Sequence, residues 1–203
     1  MQDQTVKSAR TRILEAAAEL FYREGIRAVG VDAVIAHSGV AKMSLYRNFA
    51  GKDELVAAFL EYRDEIYWTW WDKVVARHPG DPRAQIRAIF ETVGKRTARP
   101  DYRGCPFINT AVEFPDPDHP GRVIALANKM ELRNRLRGLA DSAGAHDPAM
   151  LADQLLLLIE GTYVSGQTIG TEGVGQRAAA AAADILVAAA VNAAGEARGL
   201  EYS

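Results

Sequence analysis

Residues 31–49, VDAVIAHSGVAKMSLYRNF, limit what this chain can become more than any other stretch. Two short amphipathic segments flank a glycine turn, Ser38-Gly39-Val40. Helices below roughly 12–15 residues are marginal on their own, because nucleation is unfavourable. Such a pair forms only when packed by neighbours, and its solvent side is then presented to something. The second segment presents Ser44, Tyr46, Arg47 and Asn48, with Lys52 just beyond. Those side chains suit phosphates and base edges, and the whole reads as a helix-turn-helix.

Helical spacing recurs along the rest of the chain, and no useful stretch alternates with a period of two. A first helix is expected over 7–24, with Ile13, Leu14, Ala17, Leu20 and Phe21 on its apolar face and Gly25 as its stop. Helices over 31–38 and 42–49 complete a three-helix unit whose core adds Val31, Val34, Ile35, Val40, Leu45 and Phe49. A fourth helix opens at 51–55 and runs to about 75, with Asp53 and Glu54 suited to its first turn. Along it Leu55, Phe59, Tyr62, Ile66 and Trp70 recur at helical spacing. Further helices are expected over 82–98, from 106 up to Phe114-Pro115, and over 119–141, 147–167 and 176–194. Asp118 and Asp147 are the expected caps of the seventh and eighth, and a glycine-rich link over 169–175 precedes the last. The fold class is all-α, about nine helices without repeats.

The last two helices carry spare apolar surface. Leu155-Leu156-Leu157-Leu158-Ile159 makes one of them apolar around its circumference, and the other is alanine-rich over 178–183 and 188–190. They fit either a central core or a four-helix dimer interface. For the dimer, Leu155, Leu158, Ile159, Thr162, Ile185, Leu186 and Ala189 are the expected contacts.

Charge is weakly polarised. Residues 1–52 hold eight Lys and Arg against five Asp and Glu, whereas residues 53–203 hold 16 against 21. A basic end on an acidic body fits an electrostatic footprint at that end. One cysteine, Cys105, excludes an intramolecular disulfide and suggests a reducing compartment. With no apolar signal core at the start and no expected membrane span, a cytoplasmic location is expected.

Within the helix pair the side chains sort by chemistry. Ser44 and Asn48 are four apart on one face, and an asparagine amide can pair bidentately with adenine. Arg47 suits a guanine or a phosphate. Lys42, Tyr46 and Lys52 suit phosphates, which position a protein without reading sequence. Lys7, Arg10 and Arg12 on the first helix add possible backbone contacts.

The string from Gly39 to Leu55, GVAKMSLYRNFAGKDEL, resembles the signature of the tetracycline-repressor (TetR) family. Arg12-Ile13-Leu14-Glu15-Ala16-Ala17, Leu20-Phe21 and Gly25 resemble its upstream part, so the likeness covers about residues 10–60. Gly104 to Asn109 and Glu113 to Pro120 resemble an element of one subgroup's C-terminal domain. The resemblance implies a helix-turn-helix domain over 1–52 and a helical effector-binding and dimerisation domain over 53–203. It implies DNA contacts from Lys42, Met43, Ser44, Tyr46, Arg47, Asn48 and Lys52, with Val31 and Asp32 near the backbone. Partners would be double-stranded operator DNA, a second copy of the chain and an unknown small-molecule effector, with no membrane and no cofactor. The chain departs from the pattern at Val29 and Gly30, where Thr or Ser is usual, and at Asp32, where a basic residue is frequent.

All three tryptophans fall in Trp68-Thr69-Trp70-Trp71, on the helix that would link the two domains. Trp68 and Trp71, with Phe90, Phe107, Ile108 and Phe114, are the expected lining of an apolar effector pocket. Plain core packing is the alternative for each tryptophan. Cys105 reads as a small hydrophobe before a redox sensor. Asp116, Asp118 and His119, set among prolines, read as a capping turn before a metal site, and no metal is expected. No nucleophile–base pair or paired carboxylate supports an enzyme, the competing class. A helical interaction protein that no longer binds DNA is the third class, for which Gly30 and Asp32 leave room.

Overall fold

Proline, glycine and aspartate punctuate this chain, and the helices begin and end where they stand. The computed structural model describes residues 7–170 and 173–192. Its helices are α1 (Ala9–Glu24), α2 (Val31–Ser38), α3 (Lys42–Asn48), α4 (Lys52–Val75), α5 (Pro82–Thr97), α6 (Pro106–Glu113), α7 (Pro120–Ser142), α8 (Pro148–Thr168) and α9 (Val174–Asn192). The described residues contain no strand, so the fold is all-α.

Side chains satisfy the first amides of several helices, as helix ends require. Ser8 Oγ accepts the Thr11 N–H at 3.1 Å, Asp81 Oδ1 that of Ala84 at 3.0 Å, and Asp147 Oδ1 that of Met150 at 2.9 Å. Asp118 does not cap α7. Its own N–H is donated to Asp116 Oδ1, and His119 Nδ1 accepts the Gly121 N–H at 3.1 Å instead. Pro120 takes the first helical position, so His119 directly before it is the cap and Asp118 is one position too early. The tail from Gly195, and part of the glycine-rich link, lie outside the described residues.

The chain divides into two compact units, with the divisions inside α4 and α7. The first comprises the stretch up to Ile66 together with Pro106–Ala127; the second comprises Tyr67–Cys105 together with the stretch from Asn128 onward. The first half of α4 and all of α6 cluster with the helix-turn-helix in the first unit.

In the first unit Ile13, Ala17, Phe21, Val34, Leu45, Phe49, Leu55, Phe59 and Phe107 are buried. Phe21 meets Phe59 edge to face at 5.6 Å. Leu14, Val31, Ile35 and Val40 are only half-buried. The apolar stripe of α4 does not run straight: Leu55 and Phe59 are buried but Tyr62 and Ile66 are exposed, whereas Tyr67, Trp71 and Val74 are buried. The helix buries one face in its first half and an adjoining face in its second, and the change falls where the units divide.

The second unit is organised around close helix crossings among α5, α8 and α9. A Cβ on Gly94 would lie 2.7 Å from the Gly175 carbonyl oxygen, and one on Gly166 would lie 2.5 Å from Thr97 Cβ. A Cβ on Gly175 would lie 2.7 Å from Thr162 Cγ2. By length and composition α9 could cross a bilayer, with a mean hydropathy of 1.4, contrary to the expectation of no such segment. Its alanines score as apolar while occupying little volume. The face that α9 buries is correspondingly small, with Gly175, Ala179 and Ala183 on it.

Gly94→Ala should destabilise the fold by about 1–3 kcal/mol, since overpacking against backbone cannot relax by a rotamer change. Gly138→Ala, in an α7 position with no neighbour in reach, should instead gain about 0.5–1 kcal/mol from helix propensity. Thermal melts of the two variants check the contrast.

Candidate nucleic-acid interface

The α2–α3 turn sets the direction of everything that follows it. Gly39 is in the left-handed region at φ 63°, and its N–H returns to the Ile35 carbonyl at 3.1 Å. Arg12 of α1 donates from Nη2 to the carbonyls of Ser38 at 2.7 Å and Gly39 at 3.1 Å. The guanidinium of this exposed residue thus satisfies carbonyls at the end of α2. Lys7 pairs with Glu15 at 2.6 Å, and Arg10 lies over the Phe49 ring at 5.0 Å.

Leu45 anchors α3 in the core and turns its other faces outward. Lys42, Met43, Tyr46 and Arg47 are exposed, Met43 by 62% and Tyr46 by 46%. Ser44 and Asn48 are half-buried, and Asn48 Nδ2 donates to the Ser44 carbonyl at 2.7 Å. That bond uses one of the two Nδ2 hydrogens and leaves the other, with Oδ1, for a base edge. Val31 is half-buried in the first turn of α2, whose N-cap, Gly30, has no side chain to offer the free amides.

Lys52 is half-buried at the start of α4, with Nζ 3.4 Å from the Arg27 carbonyl, and burial lowers its pKa. The Arg27 N–H is in turn held by Glu113 Oε2 of α6 at 2.7 Å, so α6 grips the α1–α2 loop within this unit. One contact was not read from the sequence. Lys42 Nζ lies 3.0 Å from Asp32 Oδ1, an ion pair between the exposed starts of α3 and α2. Opposite charges ten residues apart carry no periodic signal that would have revealed it.

The α8 and α9 residues divide differently from expectation. Leu155, Ile159 and Thr162 are buried within the protomer, and Leu158 and Leu186 are half-buried. Ile185 and Ala189 are exposed, and so are Met150, Leu157, Gly161 and Val164 on α8 and Ala178, Ala181 and Ala188 on α9. Leu157 is 71% and Ile185 69% exposed. The outward residues repeat at intervals of three and four, so each helix keeps one apolar stripe out of the protomer's core. A run of four leucines conceals which member faces outward, because hydrophobicity alone does not distinguish them.

The six aromatic and aliphatic residues expected to line a pocket fall in both units. Trp68, Trp71 and Phe90 belong to the second, where Trp71 and Phe90 are buried, Trp68 contacts Trp71 at 6.2 Å, and the Arg135 guanidinium lies 4.3 Å from the Trp68 ring. Phe107, Ile108 and Phe114 belong to the first, where Phe107 is buried and Phe114 stacks on His119 at 3.9 Å. Sequence reading also missed a half-buried polar group in the second unit. Tyr102 donates its hydroxyl to the Tyr163 carbonyl at 3.0 Å, and Lys129 Nζ lies 3.2 Å from Glu160 Oε1 and 3.7 Å from Cys105 Sγ. Burial pushes the hydroxyls of Tyr67 and Tyr163 well above the ordinary phenol range, which keeps both neutral. Cys105 is buried. Asp116 and His119 are engaged in the turn before α7, through the backbone bonds already described.

Comparison with known proteins converges on one family. The family model for bacterial regulatory proteins of the tetR family matches residues 13–59, from the middle of α1 into α4. A solved structure from Streptomyces avermitilis, described as a TetR transcriptional regulator, is 35% identical, covers 91% of this chain and 98% of its own, and superposes with a TM-score of 0.81. A TetR-family transcriptional regulator from Streptomyces coelicolor is 28% identical over 90% of this chain and 96% of its own, with a TM-score of 0.85. The transcriptional repressor KstR2 of Mycobacterium tuberculosis is 36% identical over 86 residues, 42% of each chain. The chain belongs to the TetR family, whose members are DNA-binding transcriptional regulators and not enzymes.

Proposed function

We propose that the chain is a homodimeric repressor of the reducing cytoplasm, released from a near-palindromic operator by a small apolar effector. The observation that carries the reading is the exposed tip of α3, with Lys42, Met43, Tyr46 and Arg47 turned to solvent by the burial of Leu45. Arg47 reads a base edge and Tyr46 holds a phosphate. Ser44 and Asn48 act from the half-buried flank, and Lys42, Lys52 and the first turn of α2 at Val31 meet the backbone. A second copy covers the outward stripes of α8 and α9 and supplies the second reading head. The repressor assignment is supported by the name of the mycobacterial relative. The effector acts on the second unit, near Trp68 and Trp71, and its effect passes along α4, which is continuous from Lys52 to Val75.

Arg47→Ala should cost about 1–3 kcal/mol of DNA binding and relax preference at one base pair, read by anisotropy across single-base variants of a selected duplex. A uniform loss would reassign Arg47 to phosphate, and no loss would take α3 off the DNA. Leu157→Glu, on a surface the protomer leaves open, should convert a dimer to monomers in sedimentation without changing helix content. An unchanged mass would exclude α8 from the interface. A true effector should quench tryptophan fluorescence and weaken DNA binding over the same concentrations. Compounds that quench fully while leaving DNA affinity unmoved would sink the effector mechanism.

A further inference from the structure

The ion pair at the start of the two recognition helices has a use beyond holding them together. Asp32 lies in the first turn of α2, where the helix dipole and the amides left free by Gly30 favour an anion. Its carboxylate is 81% exposed and lies 3.0 Å from the Lys42 ammonium at the start of α3. One carboxylate thus stands in the first turn of α2 and neutralises Lys42, two features of this surface that would otherwise draw a phosphate. We propose that Asp32 is an internal phosphate mimic that holds down affinity for DNA of any sequence, so that occupancy depends on the base-reading side chains of α3. This rests on the reading of α2 and α3 as the DNA-binding surface.

The electrostatics make the device weak enough to work. An ion pair between exposed side chains is worth little and is screened by salt, so a well-placed phosphate can displace the carboxylate. Until it does, Lys42 is neutralised, and the displaced carboxylate still repels the incoming strand. Non-specific association draws almost wholly on phosphate contacts and is therefore sensitive to the loss of one.

The test compares full-length wild type, Asp32→Asn, Lys42→Met and the double variant by anisotropy. Two labelled duplexes are used, one of random sequence and one selected from a random pool by the wild-type protein, each titrated across salt concentrations. Asp32→Asn should bind both duplexes about fivefold more tightly at moderate salt, with a slope of log K against log salt steeper by about one. Lys42→Met should remove that gain from the double variant while changing the wild type less. Unchanged affinity and slope in Asp32→Asn, with wild type bound, would overturn the proposal and leave the DNA-binding reading intact. A gain on the selected duplex alone would make Asp32 a base reader, and a gain that survives Lys42→Met would remove the masking of Lys42; either contradicts the proposal. No binding by any of the four would overturn the DNA-binding reading itself.

Discussion

Two helices of eight and seven residues cannot hold each other at a fixed angle through their own backbone bonds. The angle between α2 and α3 depends on one turn, in which Gly39 takes a left-handed conformation and leaves carbonyls facing away from helical partners. Arg12 reaches from α1 to satisfy two of them. A charged donor on backbone carbonyls is among the stronger hydrogen bonds a protein makes, and here it ties α1 to the end of α2 and the turn that leads into α3. Leu45 and Phe49 then seat α3 in the core, which fixes the direction in which Tyr46 and Arg47 point. Glu113 adds a second clamp on the α1–α2 loop, so α6 belongs physically with the helices that present the polar tip.

The second unit follows a different rule. Glycines at 94, 166 and 175 let α5, α8 and α9 approach more closely than side chains would allow, and Thr97 and Thr162 fill the remaining space. Packing at that distance draws one face of α8 and one of α9 inward and leaves the opposite faces apolar and open. A protein that buries Leu155 and Ile159 yet exposes Leu157 and Ile185 has surface to spare. In the proposed dimer that surface is where the second copy lies.

Much of this was legible in the amino-acid sequence, and the failures have physical causes. Helix positions were readable because proline and glycine interrupt the chain at nearly every boundary, and Asp147 caps α8 as expected. The α3 tip was readable because Leu45 and Phe49 fix its inward side. Faces were harder. The α4 stripe shifts midway, because a helix shared by two units must serve a different core in each, and periodicity assumes one. In α8 the all-leucine run hid the outward residue. Some polar side chains carry bonds within the protein that spacing does not reveal: Arg12 donates to backbone carbonyls at the end of α2, Asn48 donates to the Ser44 carbonyl, and Asp32 pairs with the Lys42 side chain. Polarity marks a residue as able to bind, but only packing reveals whether it is already engaged.

The central claim is that the α3 tip works as one of two heads brought together by the open faces of α8 and α9. Hydroxyl-radical footprinting of the full-length protein on a duplex it has selected tests that claim most directly. The account predicts two protected stretches on one face of the duplex, about one helical turn or roughly 34–36 Å apart. A single protected stretch at saturating protein would contradict it.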